Sequence, residues 1–246
     1  IFMASVWCLD LLKKIKPYLS IHKVGSGDLT NYQILKELIK TKKPIILSTG
    51  LSSFNMVNKV VNFIKKNDSD YIKKKKLAIL QCSSNYPNSL NDVNLNTLRE
   101  FEKKYNVPIG FSDHTKDSLS CEVSYILGAK IIEKHFTYNK NVKTFRDHQI
   151  SMTFNELKKF LKKLKSIKSV LGNKNKEILK TEKTSKNIVT FRRGIYAKKN
   201  IKKGEKFSEK NLIILRPLKG ISADKYFDIL GKKSLYDFRK NDSIKI

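Results

Sequence analysis

The sequence predicts an α/β fold built on a parallel β-sheet. Short β-rich runs alternate with amphipathic helical segments, which is the pattern of βαβ units. Pro44 and Pro108 each stand immediately before a β-rich run, where a preceding helix has to end. The predicted strands are residues 1–4, 22–26, 45–49, 77–82, 109–112 and 131–136. The predicted helices are residues 32–39, 56–64, 93–105, 119–127 and 154–171, in which apolar residues recur every three to four positions.

The residues at the ends of the predicted strands help to distinguish a barrel from an open sheet. Six strands are compatible with an open doubly wound sheet and with part of a (β/α)8 barrel, which needs eight. Five of the runs end in residues that can bind ligands or take part in catalysis, namely Ser26, Ser48-Thr49, Ser83-Ser84-Asn85, Ser112-Asp113-His114 and Glu133 with His135. A barrel gathers these ends around one pocket, whereas an open sheet spreads them along an edge. Periodicity leaves both folds open, and the polar strand ends favour the barrel.

The composition predicts a folded protein. Apolar residues make up 40% of the 246 residues, enough for a core even with 30% charged residues. The longest apolar runs are far shorter than the roughly 20 residues that cross a bilayer, and the chain does not open with a signal-peptide pattern. We therefore expect a soluble cytoplasmic protein without a membrane partner.

The positive charge raises the alternative of a protein that binds polyanions. The 51 Lys and Arg residues against 22 Asp and Glu give a formal charge of +29, and such a surface attracts nucleic acid and anionic lipid. However, only six of the basic residues are Arg, the residue that contacts phosphates and bases in bidentate fashion. The Lys residues are spread along the whole chain. This distribution favours a solvated surface, and we expect no specific nucleic-acid partner.

Two histidines and one lysine are the candidate binding residues. His114 and His135 follow successive predicted strands, and imidazoles are the commonest protein ligands of first-row divalent metals. A metal site and a structural role both remain open for them. Lys23 lies within an otherwise apolar strand, where an ammonium group needs an anionic partner. The Gly25-Ser26-Gly27 triplet that follows can approach a phosphate closely, although such a triplet is weak evidence by itself.

Four segments of the chain closely resemble the signature segments of the sialic acid (nonulosonic acid) synthase family. They are KVGSGD at 23–28, PIILSTG at 44–50, FSDHT at 111–115 and EKHFT at 133–137, and their order and spacing also match the family. The resemblance implies a (β/α)8 TIM barrel lacking its N-terminal strands over residues 1–172. A linker at 173–188 and a small antifreeze-like (SAF) domain at 189–246 would follow.

The resemblance also implies a reaction. Members of this family condense phosphoenolpyruvate with an N-acylated amino sugar, such as N-acetylmannosamine, to a nine-carbon 2-keto sugar acid and release phosphate. His114 and His135 match the ligands of a divalent metal, Mn²⁺ or Mg²⁺, that polarises the sugar aldehyde. Asp147 and Glu133 match acidic residues of the catalytic centre. The positions that match substrate-binding residues are Lys23, Ser26, Ser48, Ser84, Tyr86, Ser112 and Arg216. Arg216 would reach the pocket of a neighbouring subunit in a domain-exchanged homodimer.

The sequence departs from the family pattern in two places. Phe145-Arg146 stand before Asp147, where the family usually has Gly-Pro. The first two strands of the barrel are not found in the chain, and with them a Glu proposed as acid/base and a phosphate-binding Lys. We therefore expect a fragment of a longer synthase that is inactive alone.

Two other classes of function remain as alternatives. One is a related barrel enzyme that uses phosphoenolpyruvate with another aldehyde, such as a sugar-phosphate synthase. The other is a non-catalytic protein that binds polyanions or ice. The sequence determines neither the amino sugar nor the metal, because two His with waters suit several divalent ions.

Overall fold

The computed structural model describes residues 1–142 and 145–245. The chain divides into two compact units, Ile1–Gly172 and Asn173–Ile246. None of the helices in the described ranges combines the length and the apolar character needed to cross a bilayer.

A parallel sheet forms the centre of the first unit. In its described residues the strands are β1 (His22–Val24), β2 (Ile45–Ser48), β3 (Leu77–Cys82), β4 (Ile109–Asp113) and β5 (Ile131–Lys134). Their order in the sheet is the order in the sequence, and every neighbouring pair is parallel. Strands wind in this way around a barrel, whereas a doubly wound sheet reverses its order at a switch point. The sheet is a half-barrel, and the predicted fold class is confirmed.

The strand predicted at residues 1–4 does not form. Pairing in this region is limited to one parallel bridge, between Ser5 and Lys23. Ile1 is 94% exposed and Phe2 is 62% exposed. Apolar side chains that stay in solvent gain no burial energy, so nothing holds these residues in a longer ladder. The other five predicted strands lie within two residues of the observed ones at each end.

Helices alternate with the strands of the half-barrel, and the first helix lies before β1. They are α1 (Leu9–Ile15), α2 (Tyr32–Lys40), α3 (Phe54–Asn67), α4 (Asp70–Lys73), α5 (Thr97–Lys104), α6 (Leu119–Ile126) and α7 (Phe154–Leu171). Ser53 caps α3 by accepting the N–H of Met56, and Thr153 forms a capping box with Glu156 at the start of α7. α5 begins later than the predicted residue 93, because Asn94 has a φ of 50° that an α-helix cannot contain.

Strands β2, β3 and β4 are buried along their whole length. This burial explains why their sequences are continuous apolar runs rather than alternating ones. It also leaves no room for side chains at points of close approach. A Cβ atom on Gly110 would overlap the carbonyl oxygen of Ile131 in the neighbouring strand and the side chain of Leu80.

We predict that Gly110→Ala destabilises the first unit by about 2 kcal/mol, since the backbone oxygen of a paired strand cannot move aside cheaply. Urea unfolding monitored by circular dichroism measures the change. Gly27→Ala is the matched control, because its added Cβ meets no atom within 4 Å, and it should leave the midpoint unchanged or slightly raised. Equal shifts for the two variants would refute the steric explanation.

A buried histidine, His22, lies at the start of β1. It is at the amino end of the strand, whereas Ser26 follows the carboxyl end. The Thr41 hydroxyl donates to the Leu38 carbonyl at 2.7 Å, so at 2.8 Å it accepts a hydrogen bond from His22 Nε2. Within the described part of the chain, Nδ1 of His22 is buried and has no hydrogen-bond partner. Burial, and secondarily the nearby charge of Lys43, lowers the pKa of His22 below the ordinary histidine value of 6.5.

This lowered pKa predicts a loss of stability in acid. Between the folded-state pKa and 6.5, the unfolded chain binds more protons at His22, so the unfolding free energy falls as the pH falls through this range. Urea midpoints of the parent chain and of His22→Gln, measured from about pH 8 to about pH 5.5, test this expectation. The difference between the two proteins should shrink towards low pH. A constant difference across the range would contradict it.

The second unit has its own core. Its elements are α8 (Lys180–Thr184), α9 (Asn187–Phe191), β6 (Gly194–Ala197), β7 (Leu212–Leu215) and α10 (Tyr226–Ile229). β6 and β7 form an antiparallel pair. The core side chains are Ile195, Ala197, Ile201, Phe207, Leu212, Ile229, Phe238 and Ile244. The segment predicted as a linker, 173–188, contains α8 and the first residues of α9.

Candidate functional site

The two edge strands of the sheet meet through their side chains. Lys23 on β1 and Glu133 on β5 lie at opposite edges, yet Lys23 Nζ is 3.4 Å from Glu133 Oε2. A flat sheet of this width would hold them far apart, since neighbouring strands are about 4.8 Å from one another. The half-barrel therefore curls so that its inner face encloses one space, and this contact lies in it.

Lys23 is held by groups on three strands. Its side chain is 12% exposed, and Nζ donates to Ser48 Oγ at 2.9 Å and to the Val24 carbonyl at 3.2 Å. Glu133 in turn accepts a hydrogen bond from Ser112 Oγ at 2.6 Å. An ammonium group in such a sheltered position provides a strong attachment point for an anion.

Two further serines lie beside Gly50. Ser26 Oγ accepts a hydrogen bond from the Gly50 N–H at 3.0 Å. A Cβ atom on Gly50 would overlap Ser84 Oγ and would lie 2.8 Å from Ser26 Oγ. The absence of a side chain at this position therefore lets hydroxyls from two loops converge. Backbone N–H and hydroxyl groups in this arrangement are donors that suit phosphate and carboxylate oxygens.

The two histidines lie next to each other. The ring centroids of His114 and His135 are 5.4 Å apart, and the ring of Tyr86 is 4.0 Å from the first and 5.9 Å from the second. His114 Nδ1 is 2.8 Å from the carbonyl oxygen of Ser83. Because a carbonyl oxygen can only accept, Nδ1 carries the hydrogen and Nε2 keeps a free lone pair.

Asp147 lies beside the second histidine. It belongs to a short 3-10 helix, Arg146–Gln149, and its Oδ2 is 3.5 Å from His135 Nδ1. Burial lowers the pKa of His135, His114 adds to this effect, and Asp147 opposes it. His135 is therefore neutral at neutral pH, the form in which an imidazole binds a metal.

The donor set suits a divalent cation that keeps several open positions. Two imidazoles at this separation can bind one ion, with Asp147 nearby and water or substrate oxygens as the remaining ligands. Across residues 1–142 and 145–245, no three His, Cys, Asp or Glu side chains lie close enough together to hold a metal by themselves. The residues present fit an ion such as Mn²⁺ or Mg²⁺ and do not form a closed structural zinc site.

Cys82 also belongs to the site, although no sequence motif predicted this. Its Sγ is 3.9 Å from His114 Nδ1 and also contacts Ser26 and Ser112. Burial opposes ionisation of the thiol, but the bonds from His114 and the serines outweigh it, so the pKa of Cys82 is lowered. Burial likewise opposes protonation of His114, and Cys82 and the Ser83 carbonyl outweigh it, so the pKa of His114 is raised. The position of Cys82 at the end of β3 was the available signal.

The last predicted site residue, Arg216, belongs to the second unit. It follows β7 directly and is exposed, and its guanidinium lies 5.9 Å from the ring centroid of Phe191. The other predicted site residues all belong to the first unit. There the structure brings together Lys23, Ser26, Ser48, Ser84, Tyr86, Ser112, His114, Glu133, His135 and Asp147 through the contacts described above.

Known families match both units. A family model described as the NeuB family matches residues 1–176, and one described as the SAF domain matches residues 192–246. N,N'-diacetyllegionaminic acid synthase of Campylobacter jejuni subsp. jejuni serotype O:2 is 37% identical over 237 residues, which are 96% of this chain and 69% of the relative. Pseudaminic acid synthase of the same organism is 34% identical over 237 residues, 96% of this chain and 66% of the relative.

A solved structure agrees with the sequence relatives. The crystal structure of N-acetylneuraminic acid (sialic acid) synthetase from Leptospira borgpetersenii serovar Hardjo-bovis, in complex with citrate, aligns with a TM-score of 0.62 at 30% identity. The alignment covers 72% of this chain and 59% of that chain. The present chain thus spans about two thirds of the length of the sequence relatives and less of this structure.

Proposed function

Because this chain belongs to the NeuB family, we propose that it acts as a nonulosonic acid synthase. In this reaction the C3 carbon of phosphoenolpyruvate attacks the aldehyde of an open-chain N-acylated amino sugar. Water then adds to C2, and phosphate leaves with cleavage of its bond to C2, which gives a nine-carbon 2-keto sugar acid. The observation that carries the proposal is the sheltered Lys23 ammonium. It lies on the inner side of the half-barrel, as does the His114–His135 pair at the carboxyl ends of β4 and β5.

The anionic substrate would bind around Lys23. Its ammonium and the hydroxyls of Ser48 and Ser112 offer donors to the carboxylate and phosphate of phosphoenolpyruvate, and Ser26 and Ser84 add two more. Glu133, held by the Ser112 hydroxyl, can exchange a proton with a group bound beside Lys23.

The aldehyde of the sugar would bind at the histidine pair. His114 and His135 would hold Mn²⁺ or Mg²⁺, which when bound acts as a Lewis acid on the aldehyde oxygen. Tyr86 packs against both rings and would help to hold them in place beside the sugar. Asp147, 3.5 Å from His135, would orient that ring and accept a proton or a hydroxyl contact from the sugar.

The experiment is a measurement of phosphate release from phosphoenolpyruvate, with Mn²⁺ and a panel of N-acylated amino sugars. The panel contains N-acetylmannosamine and the diamino hexoses that lead to legionaminic and pseudaminic acids. The assay compares this chain with a version extended at its N-terminus to the length of its relatives, because the present chain is expected to be inactive alone. We expect the extended version to release phosphate only when sugar and metal are both present, with one keto sugar acid formed per phosphate. Isothermal titration with phosphoenolpyruvate serves as a second measurement. The proposal is refuted if neither the present chain nor the extended version binds phosphoenolpyruvate or releases phosphate with any sugar.

The proposal includes a domain-exchanged homodimer, in which Arg216 of one subunit reaches the pocket of the other and contacts the sugar. Its exposure at the end of β7 supports this role. Mixed dimers of Lys23→Met and Arg216→Ala chains provide the test. Under exchange, one pocket of each mixed dimer combines an intact Lys23 with an intact Arg216 and regains activity. Without exchange, no pocket does, and the mixture stays inactive.

A further inference from the structure

A buried ion pair lies at the ends of β4 and β5. Asp113 Oδ2 is 2.6 Å from Lys134 Nζ, and the two side chains are 0% and 7% exposed. Removing two charges from water costs free energy that their attraction often does not exceed, so a buried ion pair is weak evidence of a stabilising role. The location of this ion pair suggests a role other than stabilisation.

The ion pair holds the backbone on both sides of His114. Asp113 precedes this histidine, and Lys134 Nζ also donates to the carbonyl of Thr115, which follows it. Asp113 Oδ1 accepts the Thr115 N–H at 3.0 Å, and Oδ2 accepts the Thr115 hydroxyl at 3.0 Å and the Cys121 thiol at 3.3 Å. A polar network with this many satisfied groups is rigid.

The same ion pair ends the β4–β5 ladder. Asp113 and Lys134 are the last paired residues of the two strands, and the next residue of each strand is a histidine, His114 or His135. Beyond this point the ladder no longer fixes the distance between the strands. The contact of Asp113 with Cys121 shows that the ion pair faces α6, whereas the histidines face the enclosed side.

We propose that Asp113 and Lys134 are positioning residues that set the spacing and orientation of the His114–His135 pair. They touch neither ring in the contacts described above and act through the backbone that carries both. The proposal rests on the metal site proposed above, but it makes a separate prediction for the protein without metal.

The test variant is Asp113→Val/Lys134→Met in the full chain, which replaces the pair with apolar side chains and leaves no buried charge unpaired. The chain contains four histidines, whose ring ¹⁵N signals can be followed by NMR without metal. We expect the signals of His114 and His135 to shift or broaden, while those of His22 and His148 remain. We also expect the affinity for Mn²⁺, measured by electron paramagnetic resonance, to fall at least about tenfold.

A second ion pair supplies the matched control. Lys163 Nζ is 2.6 Å from Glu122 Oε2, and the Glu122 side chain is 7% exposed. Glu122→Met/Lys163→Met should leave the histidine signals and the Mn²⁺ affinity unchanged. If Asp113→Val/Lys134→Met fails to fold, Asp113→Asn/Lys134→Met keeps the shape of the Asp113 side chain and leaves no buried charge unpaired. It should weaken Mn²⁺ binding about threefold, which is less than is usual for the loss of a group that orients a metal ligand.

Each outcome decides the proposal. Unchanged signals of His114 and His135 in a folded variant overturn it, and so does an unchanged Mn²⁺ affinity. Equal effects of the control variant also overturn it, because a general loss of packing would then explain them. If the parent chain does not bind Mn²⁺, the proposed metal site fails, and the NMR signals alone decide whether the ion pair positions the histidines.

Discussion

Replacement of His114 by alanine is expected to lower sugar-dependent phosphate release roughly a thousandfold. The substitution removes one of the two ring nitrogens proposed to bind the metal, and a Lewis acid contributes several kcal/mol to such a reaction. Because Lys23 and its serines are untouched, binding of phosphoenolpyruvate should change little. Activity assays over a range of Mn²⁺ concentrations, together with calorimetric binding of phosphoenolpyruvate, measure the two effects separately.

His22→Gln is the control for the His114 variant. His22 is as buried as His114. It lies at the start of β1, where it forms a hydrogen bond with Thr41, and not at the carboxyl ends of the strands. It should retain activity at neutral pH, even if its unfolding midpoint falls. Retention of Mn²⁺-dependent activity by His114→Ala would exclude this histidine as a metal ligand.

Lys23→Met is expected to lower kcat/KM for phosphoenolpyruvate roughly a hundredfold, because a charged hydrogen-bond partner of the substrate is lost. The unfolding free energy should change little by comparison with this loss of kcat/KM. Glu133 keeps the Ser112 hydroxyl as a donor, and its side chain is 41% exposed, so no buried carboxylate is left without a partner. Steady-state kinetics at saturating sugar measure the effect, with thermal melting as the check on folding.

Lys43→Met distinguishes loss of an anion site from loss of a half-buried ammonium in general. Lys43 Nζ donates to the carbonyls of Lys16 and Leu19 at 2.8 and 2.6 Å, before the start of β2. This variant should lose stability and keep its KM for phosphoenolpyruvate. Similar KM values for the two variants would argue against a substrate contact of Lys23.

Local sequence signals were sufficient for the limits of five strands and for the polar residues at their carboxyl ends. Pro44 and Pro108 mark the starts of β2 and β4, and the apolar runs that follow match strands buried on both faces. Parallel strands present their carboxyl ends at one edge, so Ser48 and Ser112 had to lie on the same side of the sheet. These features depend only on the chain direction and on the period of a strand.

Sequence signals gave wrong predictions for segments whose conformation depends on packing against other parts of the chain. Residues 1–4 have the composition of a strand, but their side chains remain in solvent, and only Ser5 pairs with β1. The predicted helix from residue 93 starts instead at Thr97, because the positive φ of Asn94 interrupts it. Strand propensity depends on packing against a partner surface, which a short sequence window does not contain.

The residue types of the candidate site and the strands that carry them follow from the sequence alone, because hydrophobic period and chain direction are properties of each segment. Which of those residues touch depends on the tertiary structure. The curvature of the sheet brings Lys23 to Glu133 across its two edges, and the loop after β5 brings Asp147 to His135. It also placed Cys82 against His114 and buried the Asp113–Lys134 pair behind the histidines. Such contacts join residues far apart in the chain, and their formation depends on how twisted strands and packed helices close around a common core.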